Sequence, residues 1–521
     1  MLWIGLHLPL LSLESFMATL PPDASAEPIA LLDAHVITSA NARAQQLGVK
    51  PGLKRSTSLA LAPQLRLGQA DAARDAQALT SVAHAALAFT PAVTLPPQDA
   101  LGPHQHHVLM EVQMSLRYFG GLDKLVQRLS ATLAPLGHRV CIASAPTAQG
   151  AALLARCVCL QASSKPLHCA DLDALRHRLD STPVWVLGPG REHWEALQGM
   201  GLRTLSDLRR LPRSGVARRF GEALLDEIDR ALGERPDPRT WITLPPAFES
   251  RLELFARADT TAQVLYGAGV LLTRLVTWAQ AQHARVRRFT LVMRHEPRHQ
   301  APQASAQTLL EIALAEPSRD AEHLSVLLRE RLAYTQLGAP TLELHLHCRD
   351  IARSAPPNDE LFPTQRNERE GLVRLIERLQ ARLGPQQVQR LVLVQDHRPE
   401  QACAAESAAA SGAALAQRAA RATSALARTG MPTPGSRPVW LLREPQPLPE
   451  RRHLPWLDGA PLQLLSGPER IESGWWDGAL AERDYFIAQG GDGALVWVFR
   501  GRLPLSAAGQ EQGWYLHGRF G

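Results

Sequence analysis

The side chains best suited to chemistry fall into a few groups. His7 closes an apolar run, Leu2–Leu8, and His104, His106 and His107 crowd the stretch between Pro103 and a second apolar run ending at Glu111. An imidazole cluster suggests a transition metal, but a turn followed by a strand is the plainer reading, and no metal is expected. The six cysteines are scattered, and only Cys157 and Cys159 are close. One C-x-C pair without a second lacks zinc spacing, so reduced thiols in a reducing compartment are expected. Gly188-Pro189-Gly190 and Gly199-Met200-Gly201 precede short helical patterns. Backbone N–H groups at such helix starts can hold a phosphate oxygen without reading sequence, although any helical hairpin needs turn glycines. Arg285, Arg287 and Arg288 open a strand-like run and are candidate phosphate contacts; a solvated strand end is the alternative.

The elements that must position these groups alternate along the chain. Strand patterns at Leu2–Leu8, Pro28–Ala34, Val108–Val112 and Arg139–Ser144 are separated by helical ones at 72–90, Leu122–Leu136 and Ala148–Cys157. Residues 170–235 read as short helices punctuated by glycine. A long helix at Thr261–Gln282 lies between strand patterns at Leu252–Ala256, Arg285–Met293 and Thr341–His347. A proline-flanked segment, Asn358-Asp359-Glu360-Leu361-Phe362, precedes a helix (Glu370–Leu383) and a strand (Gln389–Val394). The Ala/Ser/Gly/Pro-rich stretch 401–436 reads as a linker. Residues 437–521 hold six of the 11 tryptophans and suggest a β-rich module with most of those rings in its core, and with at least one of the adjacent Trp475 and Trp476 left at a surface because neighbouring strand residues face opposite ways.

Composition bounds the answer. A chain of 521 residues predicts several domains, and 45% hydrophobic with 20% charged residues excludes a disordered chain. No apolar run reaches the ~20 residues that span a bilayer, and Met1–Leu13 lacks a basic n-region and a cleavage site, so a soluble cytoplasmic protein is expected. The formal charge is +6, and only four of the 56 basic residues are lysine. Such a mild excess permits nucleic acid without demanding it.

The order of these units resembles a Y-family (translesion) DNA polymerase over residues 1 to about 350. Ala42, Arg43, Gly48, Val49, Gly52 and Pro63 match its fingers motif. Met110-Glu111-Val112 through Phe119-Gly120 resembles a palm strand, and Leu187-Gly188-Pro189-Gly190 its thumb. The resemblance implies an α+β multidomain fold: palm and fingers (1–165), helix-hairpin-helix thumb (166–240), α/β little finger (245–350), a clamp-motif segment with a helix-strand extension (351–400), the linker 401–436 and the Trp-rich module 437–521.

The departures from that family decide the expected function. Nucleotidyl transfer needs two divalent ions held by clustered carboxylates. Where the family places them, this sequence has His7 and Pro9 on the first strand, and His106 and His107 before the palm strand; the fingers aromatic falls on Ala40. Arg43 and Glu111 are left as a vestigial nucleotide site. A scaffold without its carboxylates, carrying a Trp-rich extension with Gly467–Trp476 and Trp514–Gly518, resembles the ImuB family. That resemblance implies a non-catalytic hub in SOS-type mutagenic repair with no cofactor of its own. The implied partners are primer-template DNA, the replicative sliding clamp through Asn358–Phe362, an error-prone polymerase III alpha-type subunit, and the RecA-like accessory protein ImuA. The alternatives are an active translesion polymerase with relocated metal ligands and a general helix-hairpin-helix DNA-repair module without clamp contact.

Overall fold

The structure, a computed structural model of the chain, describes residues 1–21, 26–96, 106–159, 166–297, 306–353, 365–408, 437–502 and 513–520, with backbone alone for residues 192 and 365–371. It is α+β throughout and divides into two compact units, Met1–Glu368 and Arg369–Gly521.

The first unit is organised on a five-stranded sheet whose middle strand is Trp3–His7. That strand pairs antiparallel with His107–Glu111 on one side and Cys141–Ala145 on the other. Both faces of the sheet are covered, so all five residues of Trp3–His7 are buried. Side chains alternate across the pleat. Ile4, Leu6, Val108 and Met110 pack with the helices Ala72–Leu87 and Leu122–Leu133, while Trp3, Leu109 and Ala143 pack with the helix Ala148–Val158. That last helix presents Ala148, Ala151, Ala152 and Ala155 to the core, which lets it lie close to the sheet. A Cβ on Gly5 would stand 2.5 Å from the Ala151 carbonyl oxygen, so the strand has no room for a side chain there.

A three-stranded sheet of Val36–Ala40, Ile29–Asp33 and Arg66–Gln69 carries the short helices Ala42–Gln46 and Arg55–Leu61. Residues 172–232 are a chain of short helices whose apolar residues, Leu175 to Leu232, join the same core as the helix Ala148–Val158. A four-stranded antiparallel sheet follows, in the order Gln307–Ser318, Ala284–His295, Thr341–Arg353, Phe248–Ala258. The helices Thr261–Ala281 and Ala321–Ala333 accompany it, the former started by a Thr260/Gln263 capping box. The sequence reading missed the strand Gln307–Ser318 and the helix after it, although Leu324, Leu327, Leu328 and Leu332 of that helix recur at the helical period.

The second unit contains most of the helix Gln365–Leu383, a hairpin of Gln389–Leu393 with Cys403–Ser407, and a five-stranded antiparallel sheet. The stretch expected as linker from residue 401 thus begins as a paired strand; residues 409–436 lie outside the described ones. The segment after Gln389–Leu393 is locked onto the sheet by charge. Arg398 donates to both carboxylate oxygens of Asp396 and Asp477 and to the Ala479 carbonyl, and Arg483 donates to Glu400 at 3.0 Å. Beneath this lies an aromatic core in which Tyr485 stacks on Trp497 with centroids 4.0 Å apart and its hydroxyl meets His517 Nδ1 at 2.8 Å. Burial drives the His517 imidazole down to about 4, only partly opposed by the Glu400 carboxylate.

The tryptophan expectation needs correction. Trp497 and Trp514 are buried, but Trp440, Trp475 and Trp476 are exposed. Trp475 and Trp476 occupy a turn after the strand Gln463–Ser473 rather than alternating along a strand, so neither is forced inward. The cysteine reading also changes. Cys141 at the start of a strand and Cys159 after the end of a helix form a disulfide, because the fold brings them together across a separation of 18 residues. Cys157, Cys169, Cys348 and Cys403 are free.

Candidate nucleic-acid interface

The antiparallel register gathers three histidines at one end of the central sheet. His7 lies directly across from His107, and its Nδ1 is 3.1 Å from the carbonyl oxygen of His106. All three imidazoles are buried. His106 Nε2 is 3.9 Å from Asp75 Oδ2, yet desolvation outweighs that carboxylate and holds the imidazole below its ordinary pKa. Asp75 in turn accepts from the hydroxyls of Ser12 and Ser15. The three are buried at one end of the sheet, His106 on the face toward Asp75 and the helix Ala72–Leu87. Among the described residues, no group of three or more His, Cys, Asp or Glu side chains is arranged to hold a metal ion. Hard divalent ions favour oxygen, so the donor set here does not fit the paired ions of nucleotidyl transfer. His104 lies outside the described residues.

Glu111 and Arg43, expected as a vestigial nucleotide site, are each held by local partners. Glu111 pairs with Trp3, four residues along the strand from the His7–His107 pair, which is roughly 13 Å at the rise of an antiparallel strand. Its Oε1 instead accepts from the Leu2 and Gln113 amides. Arg43 is exposed on the helix Ala42–Gln46, where it donates to the neighbouring Gln46. Sequence distance from His107 concealed the separation, because a fully extended strand carries Glu111 to the opposite end of the sheet. Ala40 is buried in the small core with Ile37, Ala44 and Val49.

The glycines expected in a thumb have different jobs. The Gly188 amide already donates to Glu227 Oε2 at 3.0 Å, so that helix start is capped by the protein's own carboxylate. A Cβ on Gly190 would lie 2.2 Å from the Val184 carbonyl oxygen; this glycine is a close-packing residue. Gly201 takes φ +77° in the open turn between two short helices, and Gly199 faces open space. The following helix is capped internally by Thr204 and Asp207. Two of these helix starts are therefore occupied before any phosphate arrives. The basic side chains that sequence reading missed lie further on: Arg210, Arg218 and Arg219 are exposed, and none has an ion-pair partner among the described residues, whereas Arg209 and Arg213 pair with Asp180 and Asp229. The run Arg209–Arg219 itself was the available signal.

On the four-stranded sheet, a bulge between Val286 and Arg288 leaves both Arg287 and Arg288 exposed. Arg288 is held by Glu311 at 3.0 Å and Asp350 at 3.8 Å. Arg285 and Arg287 have no ion-pair partner among the described residues. Nearby, Arg251 and Arg294 share Glu343 at 3.1 and 3.3 Å. The face is therefore basic but interleaved with acid, and the unpaired Arg285 and Arg287 are its strongest candidates for a phosphate contact. The segment Asn358–Phe362 lies outside the described residues.

No helix among the described residues is long and apolar enough to cross a membrane. No family model matches the chain. Among solved structures, it resembles a ternary complex of Dbh (14% identity, TM-score 0.37, covering 67% of this chain and 99% of that one). It likewise resembles DinB from Sulfolobus solfataricus (13% identity, TM-score 0.37, 67% and 98% covered). Among curated proteins it matches Protein ImuB of Caulobacter vibrioides, strains NA1000/CB15N and ATCC 19089/CB 15. Both are 26% identical over 503 residues, covering 91% of this chain and all of the relative. The similarity to these ImuB proteins thus extends along nearly the whole chain, as the resemblance read from the sequence implies.

Proposed function

We propose that this protein is a catalytically silent, polymerase-like adaptor of mutagenic translesion synthesis. It binds primer-template DNA without sequence preference and links the sliding clamp to an error-prone polymerase III alpha-type subunit, with ImuA as a further partner. The observation that carries the reading is the burial of His7, His106 and His107 at one end of the central sheet. Three buried imidazoles stand where the resemblance calls for the carboxylates that hold two magnesium ions, and Glu111 is too far along its strand to replace them. The partner assignments rest on the ImuB resemblance.

The test uses one preparation and two readouts. The purified protein should retard a primer-template duplex in a gel, with affinity falling steeply as salt rises, and should extend no primer with either Mg²⁺ or Mn²⁺. Arg285→Ala/Arg287→Ala should weaken binding and lower the salt slope by about two, one unit for each phosphate contact. Robust extension would establish an active polymerase with relocated ligands instead. An unchanged salt slope would remove the two arginines from the interface.

The clamp link rests on Asn358–Phe362, whose Leu361 and Phe362 are apolar anchors suited to a preformed groove. Clamp capture should fall at least tenfold in Leu361→Ala/Phe362→Ala. Equal capture of both forms would favour a DNA-binding module without clamp contact.

A further inference from the structure

Two cavities in the first unit share one wall, and that wall is Arg274. The smaller, about 280 Å³, lies among the first turn of the helix Ala72–Leu87, the strand Phe248–Ala258 and the helix Thr261–Ala281. The larger, about 820 Å³, runs along the other side of Arg274 beside Tyr266, His138 and Arg329.

Arg274 is a costly residue to place here. Its side chain is 6% exposed, and its hydrogen-bond partner is the Ser250 hydroxyl, 3.2 Å from Nη1. No carboxylate lies within ion-pair distance of it among the described residues. Burial alone pulls the guanidinium down to about 10, with no acid opposing the shift. An uncompensated buried cation is among the least favourable groups a fold can carry, so such groups are normally paired with an acid or met by an anion. Arg74, on the same small cavity, is also lowered chiefly by burial. Its Nη2 donates to the Gln69 carbonyl, and its Nε finds no acceptor. The acids that oppose this shift are committed elsewhere or act only in part. Asp75 accepts from the Ser12 and Ser15 hydroxyls, Asp71 caps the helix by accepting from the Ala73 and Arg74 amides, and Glu253 contributes least.

We propose that this region binds a phosphate-bearing small molecule, with the phosphate in the smaller cavity against Arg274 and Arg74. The larger cavity beyond Arg274 has room for a sugar and base, so the phosphate can come from the free ion or from a nucleotide. The smaller cavity borders the basic sheet face, whose Arg251 is among its lining residues, but the proposal does not depend on the adaptor reading.

The experiment is titration calorimetry and thermal melting of the full chain. The probes are inorganic phosphate and, in a parallel arm, a deoxynucleoside 5′-monophosphate, each against sodium chloride of matched ionic strength. Saturable binding is expected, with a melting rise of roughly 3–5 °C at a hundredfold excess over Kd. Arg274→Met should abolish the rise while melting no lower than wild type without ligand, because it removes the unpaired charge and keeps the bulk. Arg74→Gln, which leaves Arg274 in place, should weaken binding about tenfold. Tighter binding of the nucleotide would identify the larger cavity as part of the site; equal affinity would identify the free ion. No saturable binding of either probe to the wild type, or an undiminished response in both variants, overturns the proposal.

Discussion

His7→Asp is expected to destabilise the first unit by about 3–5 kcal/mol at neutral pH, the scale of an uncompensated buried charge, and to restore no primer extension. His7 is the last residue of the central strand, is buried, and points its Nδ1 at the His106 carbonyl oxygen, 3.1 Å away. An aspartate there would set an acceptor against an acceptor in a dry site. The carboxyl would stay protonated in the folded state, its pKa raised above the ~3.9 of an unfolded aspartate. The sign of the pH dependence follows. The folded state then holds the extra proton, so stability is intact below pH ~4 and is lost as pH rises through the raised folded value. His7→Asn, similar in shape but uncharged, should be milder and flat across the same range. Urea denaturation at pH 5 and pH 8 separates the two variants. Equal stability of Asp and Asn at pH 8 would show the site to be wet, and recovered extension would show that the scaffold lacks only the carboxylate.

Trp497→Ala should cost the second unit about 3–5 kcal/mol, the range for removing a fully buried large aromatic. The ring is 1% exposed and stacks on Tyr485, with Phe499 and His517 completing the cluster. Trp475→Ala removes an equally large side chain from an exposed turn and should change stability by less than about 0.5 kcal/mol. Near-UV circular dichroism followed through a urea titration reads both. A Trp475→Ala loss as large as that of Trp497→Ala would mean the turn is part of the folded core.

Both predictions bear on how much was legible in the sequence. The central strand was, because its run of apolar residues is too short for a helix of that kind and is bounded by a proline turn. The long helices were, because Thr261–Ala281 and Leu122–Leu133 repeat their apolar residues at the helical period. The replacement of carboxylates by His7, His106 and His107 was read by counting along the chain against a family pattern. The position of Glu111 was not, because sharing a strand says nothing about which end of the sheet a residue reaches until the register is known. The thumb glycines misled for a related reason. A glycine before a helix marks a close approach, and only the fold shows whether a phosphate or the protein's own Glu227 takes the amide.

The sequence by itself determined the kinds of element, their order, and the absence of acid from the run Leu2–Leu8, since these depend on local periodicity and residue type. The tertiary structure decided which groups meet. Packing buries three histidines at one end of the central sheet, a strand register carries Glu111 to the other end, Arg398 and Arg483 tie the segment before the expected linker to the C-terminal sheet, and the packing of Thr261–Ala281 buries Arg274 without an acid. Each of these depends on contacts between residues far apart in the chain, and no local pattern encodes them.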